Sequence, residues 1–77
     1  MNKEIISIKT EYIRLCDLLK FSGIAETGGM AKEIILDGLV SVDGEPCLMR
    51  GKKLYVGATV QIDLEEGFTL VVSKNED

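Results

Sequence analysis

Thr27-Gly28-Gly29-Met30-Ala31-Lys32-Glu33-Ile34-Ile35-Leu36-Asp37-Gly38-Leu39-Val40-Ser41-Val42-Asp43-Gly44 is the stretch that decides the fold. Thr27 is a helix N-cap: its hydroxyl can accept from one of the free N–H groups of a first turn. Ala31, Ile34 and Ile35 follow at helical spacing and form one apolar face. Gly38 stands where a left-handed residue ends the helix, because it has no Cβ to clash. The period then switches to two, and Leu39, Val40 and Val42 read as a short strand. Asp43-Gly44 predicts a two-residue hairpin turn. The order is helix, tight stop, strand, hairpin. The helix opens with two glycines and has Lys32 one turn on, and a helix start with bare amides is suited to an anion.

Downstream, residues 45–48 read as the returning strand. Pro46 has no N–H to donate, so that strand is interrupted or lies at an edge. Residues 49–53 form a basic loop carrying Arg50, Lys52 and Lys53. Leu54 and Tyr55 follow, with Tyr55 half in the core and half at its rim, and 56–58 is a second turn. Between Thr59 and Leu64, Val60, Ile62 and Leu64 alternate with polar residues as a strand requires. Glu65-Glu66-Gly67 is a turn, Phe68 to Val72 the last strand, and 73–77 a frayed polar tail.

Upstream, residues 4–8 read as an added edge strand with Ile6 and Ile8 on one face. Thr10 is placed as a cap, Glu11 in the first turn, and a first helix over 12–21 with Leu15, Leu18 and Leu19 as its core stripe. Arg14 and Lys20 fall away from that stripe, and Asp17 can reach Lys20 one turn on. Gly23 ends the helix and Ile24 folds back as an apolar contact. The short link to Thr27 makes the two helices neighbours. The prediction is an α+β fold: two helices packed on a small, mostly antiparallel sheet.

Seventy-seven residues predict one domain, 1–77, with a motif core of about 14–58. Apolar residues make up 45% of the chain, enough for one small core. No basic-then-apolar leader is evident, and no apolar run approaches membrane-spanning length; the expectation is a cytoplasmic protein away from membranes. Cys16 and Cys47, with no His in the chain, are too few for a zinc site, and they read as reduced, largely buried thiols. Net charge is −4, but the excess acid lies in residues 59–77, while 1–58 balance. A neutral module can still carry a positive face if the fold sorts its charges.

Leu15 to Leu19, Gly23, Thr27 to Lys32, Asp37 to Val40, the turn at 42–44 and Arg50 to Gly57 together resemble the RNA-binding domain named after ribosomal protein S-four, which carries the αL motif. The similarity spans about residues 5–72 and is closest to the small stand-alone bacterial group called YaaA/YbcJ-like. It implies two helices on a curled sheet. As ligand it implies structured RNA, most plausibly ribosomal RNA or a ribosomal subunit, held by shape and backbone. Relatives carry the module as an appendage in pseudouridine synthases, tyrosyl-tRNA synthetases and a ribosome-rescue heat-shock protein.

In many members the second helix opens with a hydroxyl residue and two arginines. Here the hydroxyl is Thr27 but the pair is Gly28-Gly29, which leaves backbone amides and Lys32. Arg14 matches the family's basic position on the first helix, although the acid expected two residues later is Cys16. Arg50, Lys52 and Lys53 match the basic loop. The candidate RNA-binding set is therefore Arg14, Lys20, Thr27, Gly28, Gly29, Lys32, Arg50, Lys52 and Lys53.

Each has a plainer reading. Gly28-Gly29 costs helix propensity, and close approach of a phosphate or of another strand would account for it equally. Basic loops are usually just solvated. Tyr12 and Tyr55 do not interleave with basic residues in sequence, so no single-strand stacking platform is expected. No serine-hydrolase elbow, nucleotide phosphate loop or paired metal carboxylates appear, and the expectation is a monomeric protein without catalysis, cofactor or small-molecule substrate. A competing expectation is a protein-interaction module or ribosome-assembly adaptor, using the Ile5–Ile8 edge or Leu36.

Overall fold

The computed structural model describes residues 2–75; Glu76 and Asp77, expected in the polar tail, lie outside that range. The elements in chain order are β1 (Asn2–Ile8), β2 (Tyr12–Arg14), α1 (Leu15–Phe21), α2 (Gly28–Leu36), β3 (Val40–Val42), β4 (Glu45–Pro46), β5 (Lys53–Tyr55), β6 (Thr59–Ile62) and β7 (Phe68–Lys74). Five strands form one sheet in the order β1-β7-β6-β3-β4, with β1 parallel to β7 and the other pairs antiparallel. β2 and β5 form a separate two-stranded antiparallel ribbon. This is the expected α+β architecture: two helices with a mostly antiparallel sheet.

Alternation along the strands builds one apolar face. Ile6 and Ile8, Val40 and Val42, Val60 and Ile62, and Leu70 and Val72 are all buried. The helices set Leu15, Leu18, Leu19, Ala31 and Ile35 into the same cluster, and the ribbon contributes Leu54. Full burial of a leucine or isoleucine side chain stabilises by roughly 1.5–3 kcal/mol, so these side chains dominate the stability of a chain this small.

The 27–44 stretch folds as its residues require. Thr27 Oγ1 accepts from the Met30 amide at 3.2 Å. Gly38 takes φ +78 beyond α2, and its amide donates to the Ile35 carbonyl. Asp43 and Gly44, at φ +50 and +87, form the two-residue turn between Val42 and Glu45. Asp43 also clamps the neighbouring strand: its amide donates to the Thr59 carbonyl and its carboxylate accepts from the Thr59 amide at 2.9 Å. β4 lies at the sheet edge, where Pro46 needs no donor, and the Glu45–Pro46 bond is trans.

Three expectations are corrected. The first helix does not begin at residue 12: Tyr12–Arg14 are a strand, and Arg14 is the helix N-cap without a side-chain cap bond. Thr10 instead donates its hydroxyl to the Tyr12 carbonyl at 2.8 Å, and Glu11 lies in the bend before β2. Aromatic and β-branched side chains favour the extended form at 12 and 13, and a partner strand settles it. The returning strand is only Glu45–Pro46, not 45–48. The tail begins later than expected, because Ser73 and Lys74 pair with Ser7 and Ile8 in the parallel β1–β7 ladder.

Candidate functional site

The predicted binding residues fall into two groups, one at each end of α1. At its start, the 50–52 loop caps the helix with backbone. The Leu15 amide donates to the Lys52 carbonyl at 2.9 Å and the Cys16 amide to the Arg50 carbonyl at 3.0 Å. A helix start leaves its first amides without partners, and these two carbonyls do what a capping side chain would do. The loop is thereby pinned, while the side chains of Arg50 and Lys52 remain exposed. Ribbon register then places Arg14 directly opposite Lys53. Two segments far apart in sequence so gather four cations around one helix end.

The second group lies at the other end. Lys20 is in the last turn of α1 and pairs with Asp17 across one turn at 3.6 Å. The short link 22–27 brings in the start of α2, with Thr27, Gly28, Gly29 and Lys32. Seven helical residues rise about 10 Å, so the groups are separate patches rather than one cluster. Gly28 and Gly29 have neither a left-handed φ nor a close neighbour. A Cβ on Gly28 would meet nothing within 4 Å, and one on Gly29 only the Thr27 hydroxyl at 3.8 Å. Close approach of another strand, one of the two explanations for this pair, is therefore ruled out.

The two tyrosines, separate in sequence, meet in the fold. Tyr12 and Tyr55 are Cα partners in the ribbon, with ring centroids 5.9 Å apart and planes tilted by 54°. The Lys53 ammonium lies 4.9 Å from the Tyr12 ring centroid. Tyr55 is exposed rather than half core. The clue was in the sequence: Tyr12-Ile13-Arg14 and Lys53-Leu54-Tyr55 are mirror images, so antiparallel pairing sets aromatic on aromatic and base on base.

Both cysteines are free; Cys47 is buried and Cys16 half-buried. Among the described residues no group of three or more His, Cys, Asp or Glu is placed to hold a metal ion. No helix among them is long and apolar enough to cross a membrane.

The family model described as the S4 domain, the S-four domain of the sequence resemblance, matches residues 6–72. The chain belongs to the S4 domain family. The match runs from Ile6, in the second half of β1, to Val72 in β7. A Bacillus subtilis protein named "Probable ribosome maturation protein RlbA" is 48% identical over 63 residues, covering 82% of this chain and 84% of that protein. An Escherichia coli protein named "Putative RNA-binding protein YbcJ" is 42% identical over 52 residues, covering 68% of this chain and 74% of that one.

Proposed function

We propose that this protein is a non-enzymatic RNA-binding module, a single cytoplasmic domain acting as a monomer, that holds folded ribosomal RNA through its backbone. The observation that carries the proposal is the convergence of Arg14, Arg50, Lys52 and Lys53 on one end of α1. Family membership and the names of the two similar proteins support the same reading. Along the sequence the excess acid lies in 59–77, while 1–58, which hold all four of these cations, balance. A-form RNA buries its major groove, so cations on a fixed loop meet phosphates and 2′-hydroxyls rather than base edges. The amides at the start of α2, with Lys32 and Lys20, form a second contact for the same backbone. Glycine at 28 and 29 fits the approach of a phosphate from outside, since nothing inside the protein requires it.

The test is binding of the purified protein to ribosomal subunits and to a folded ribosomal RNA fragment across a salt series, beside the Arg50/Lys52/Lys53→Ala variant. About four to six phosphate contacts give a slope of log affinity against log salt of roughly −3 to −5. The triple variant should flatten that slope by about 2–3 and weaken binding at least tenfold. Wild-type binding with a slope near zero would sink the electrostatic model. No binding by either protein at low salt favours a protein partner instead, for which Ile5 and Leu36 are among the exposed apolar side chains.

A further inference from the structure

We propose that the outer face of the β2–β5 ribbon is a nucleotide subsite, in which an unpaired RNA base stacks on Tyr55, beside Tyr12, while its phosphate lies between Arg14 and Lys53. The proposal rests on the RNA-binding reading above and names the RNA feature that the module selects.

Strand alternation makes the face. Leu54 is buried and Ile13 packs against the core, so the ribbon turns these two inward. Tyr12, Arg14, Lys53 and Tyr55 therefore share the opposite face. Register sets them as a two-by-two array, tyrosine across from tyrosine and arginine across from lysine. Tyr55 leaves 51% of its surface to solvent. Every base has a π-face, and stacking on an exposed tyrosine needs no particular hydrogen-bond pattern.

The array is costly without a ligand. Like charges directly opposite in an antiparallel pair repel, and this ribbon has only three residues per strand to offset that. Lys53 relieves part of the cost by lying over the Tyr12 ring. Of the neighbouring acids, Asp43 accepts from the Thr59 amide and Asp17 pairs with Lys20. Glu11 is exposed in the bend before β2. An anion between Arg14 and Lys53 turns the repulsion into two attractions. A cation pair beside an aromatic pair fits one nucleotide, phosphate and base together. Bases in an A-form duplex do not offer their faces, so the nucleotide must be extruded, as at a bulge or junction.

The probe is a short RNA hairpin carrying one bulged 2-aminopurine, beside the same hairpin fully paired. The chain has two tyrosines and no tryptophan, so intrinsic emission reports on this face alone. The bulged hairpin should bind about tenfold more tightly than the paired one, with quenching of the 2-aminopurine and a change in tyrosine emission. Tyr55→Leu should abolish the preference and the quenching while leaving the salt slope unchanged. Tyr55→Phe should retain both and so separate stacking from any loss of structure. Equal affinity for the two hairpins, with 2-aminopurine unquenched, overturns the subsite and leaves the RNA-binding reading standing. Binding to neither hairpin at low salt overturns both.

Discussion

The two ends of α1 reach comparable surfaces by opposite routes. At its C-terminal end, the start of α2 is assembled locally: Thr27 caps the amide of Met30, three residues away, and the site presented is mainly backbone. At its N-terminal end the surface is assembled from distant segments. The 50–52 carbonyls hold the helix, the ribbon pairs 12–14 with 53–55, and the chemistry offered is side-chain charge and aromatic rings. A locally built site survives as long as its helix does. A site built from distant pieces depends on the core that joins them.

The sharpest way to break this contrast is Leu54→Ala. Leu54 is the buried side chain that fastens the ribbon to the core. Its truncation should cost about 2–4 kcal/mol, a large share of the roughly 4–11 kcal/mol available to a chain of this length. Urea denaturation gives the total, and amide hydrogen exchange gives the distribution. The Leu15 and Cys16 amides, bonded to the loop, should lose protection first. Those of Met30 and Ala31, bonded to Thr27 at the start of α2, should keep theirs relative to global unfolding. Equal loss at both ends would show one cooperative unit and remove the distinction.

The same contrast explains what could be read from the residues. Thr27, Gly38 and Asp43-Gly44 act within a few positions of themselves, so a cap, a left-handed stop and a hairpin were legible at their correct places. Apolar alternation at Val60 and Ile62, and at Ile6 and Ile8, identified the core faces of their strands. Tyr12–Arg14 reads as helix because the helical spacing of the following leucines extends backward without contradiction, whereas its conformation is decided by Lys53–Tyr55, far along the chain. The candidate cations were legible as residue types. Their division into two patches was not, because it depends on the length of α1 and on the carbonyls of Arg50 and Lys52 reaching its start. The pairing of Tyr12 with Tyr55 is not legible either, because sequence spacing says nothing about cross-strand register.

Gly28→Ala and Gly29→Ala test the local end. Neither glycine has a left-handed φ, and a Cβ at either position meets open space or an ordinary contact. Each substitution should therefore stabilise the protein, by about 0.5–1 kcal/mol if the helix-interior difference applies in the first turn. RNA binding should weaken severalfold, because methyl groups now stand beside the amides offered to phosphate. A rise in thermal midpoint with binding unchanged would make the glycines incidental. A fall in midpoint would mean that the start of α2 has a constraint other than helix propensity.

The smallest effect probes the assembled end. Arg14→Gln removes one of the two opposed charges while leaving Lys53 in place over Tyr12. Glutamine keeps much of the stem length and is not among the best N-caps, so the change does not simply supply the side-chain cap that α1 lacks. Relief of a directly opposed like pair should stabilise by a few tenths of a kcal/mol. Salt provides the control. At about 0.15 M the screening length is about 8 Å, and at 1 M about 3 Å, so a repulsive origin requires the difference from wild type to shrink as salt is added. A difference that persists at high salt belongs to packing of the arginine stem. A destabilised variant would mean that Arg14 is already compensated within the protein, and the case for an external phosphate between Arg14 and Lys53 would lose its electrostatic ground.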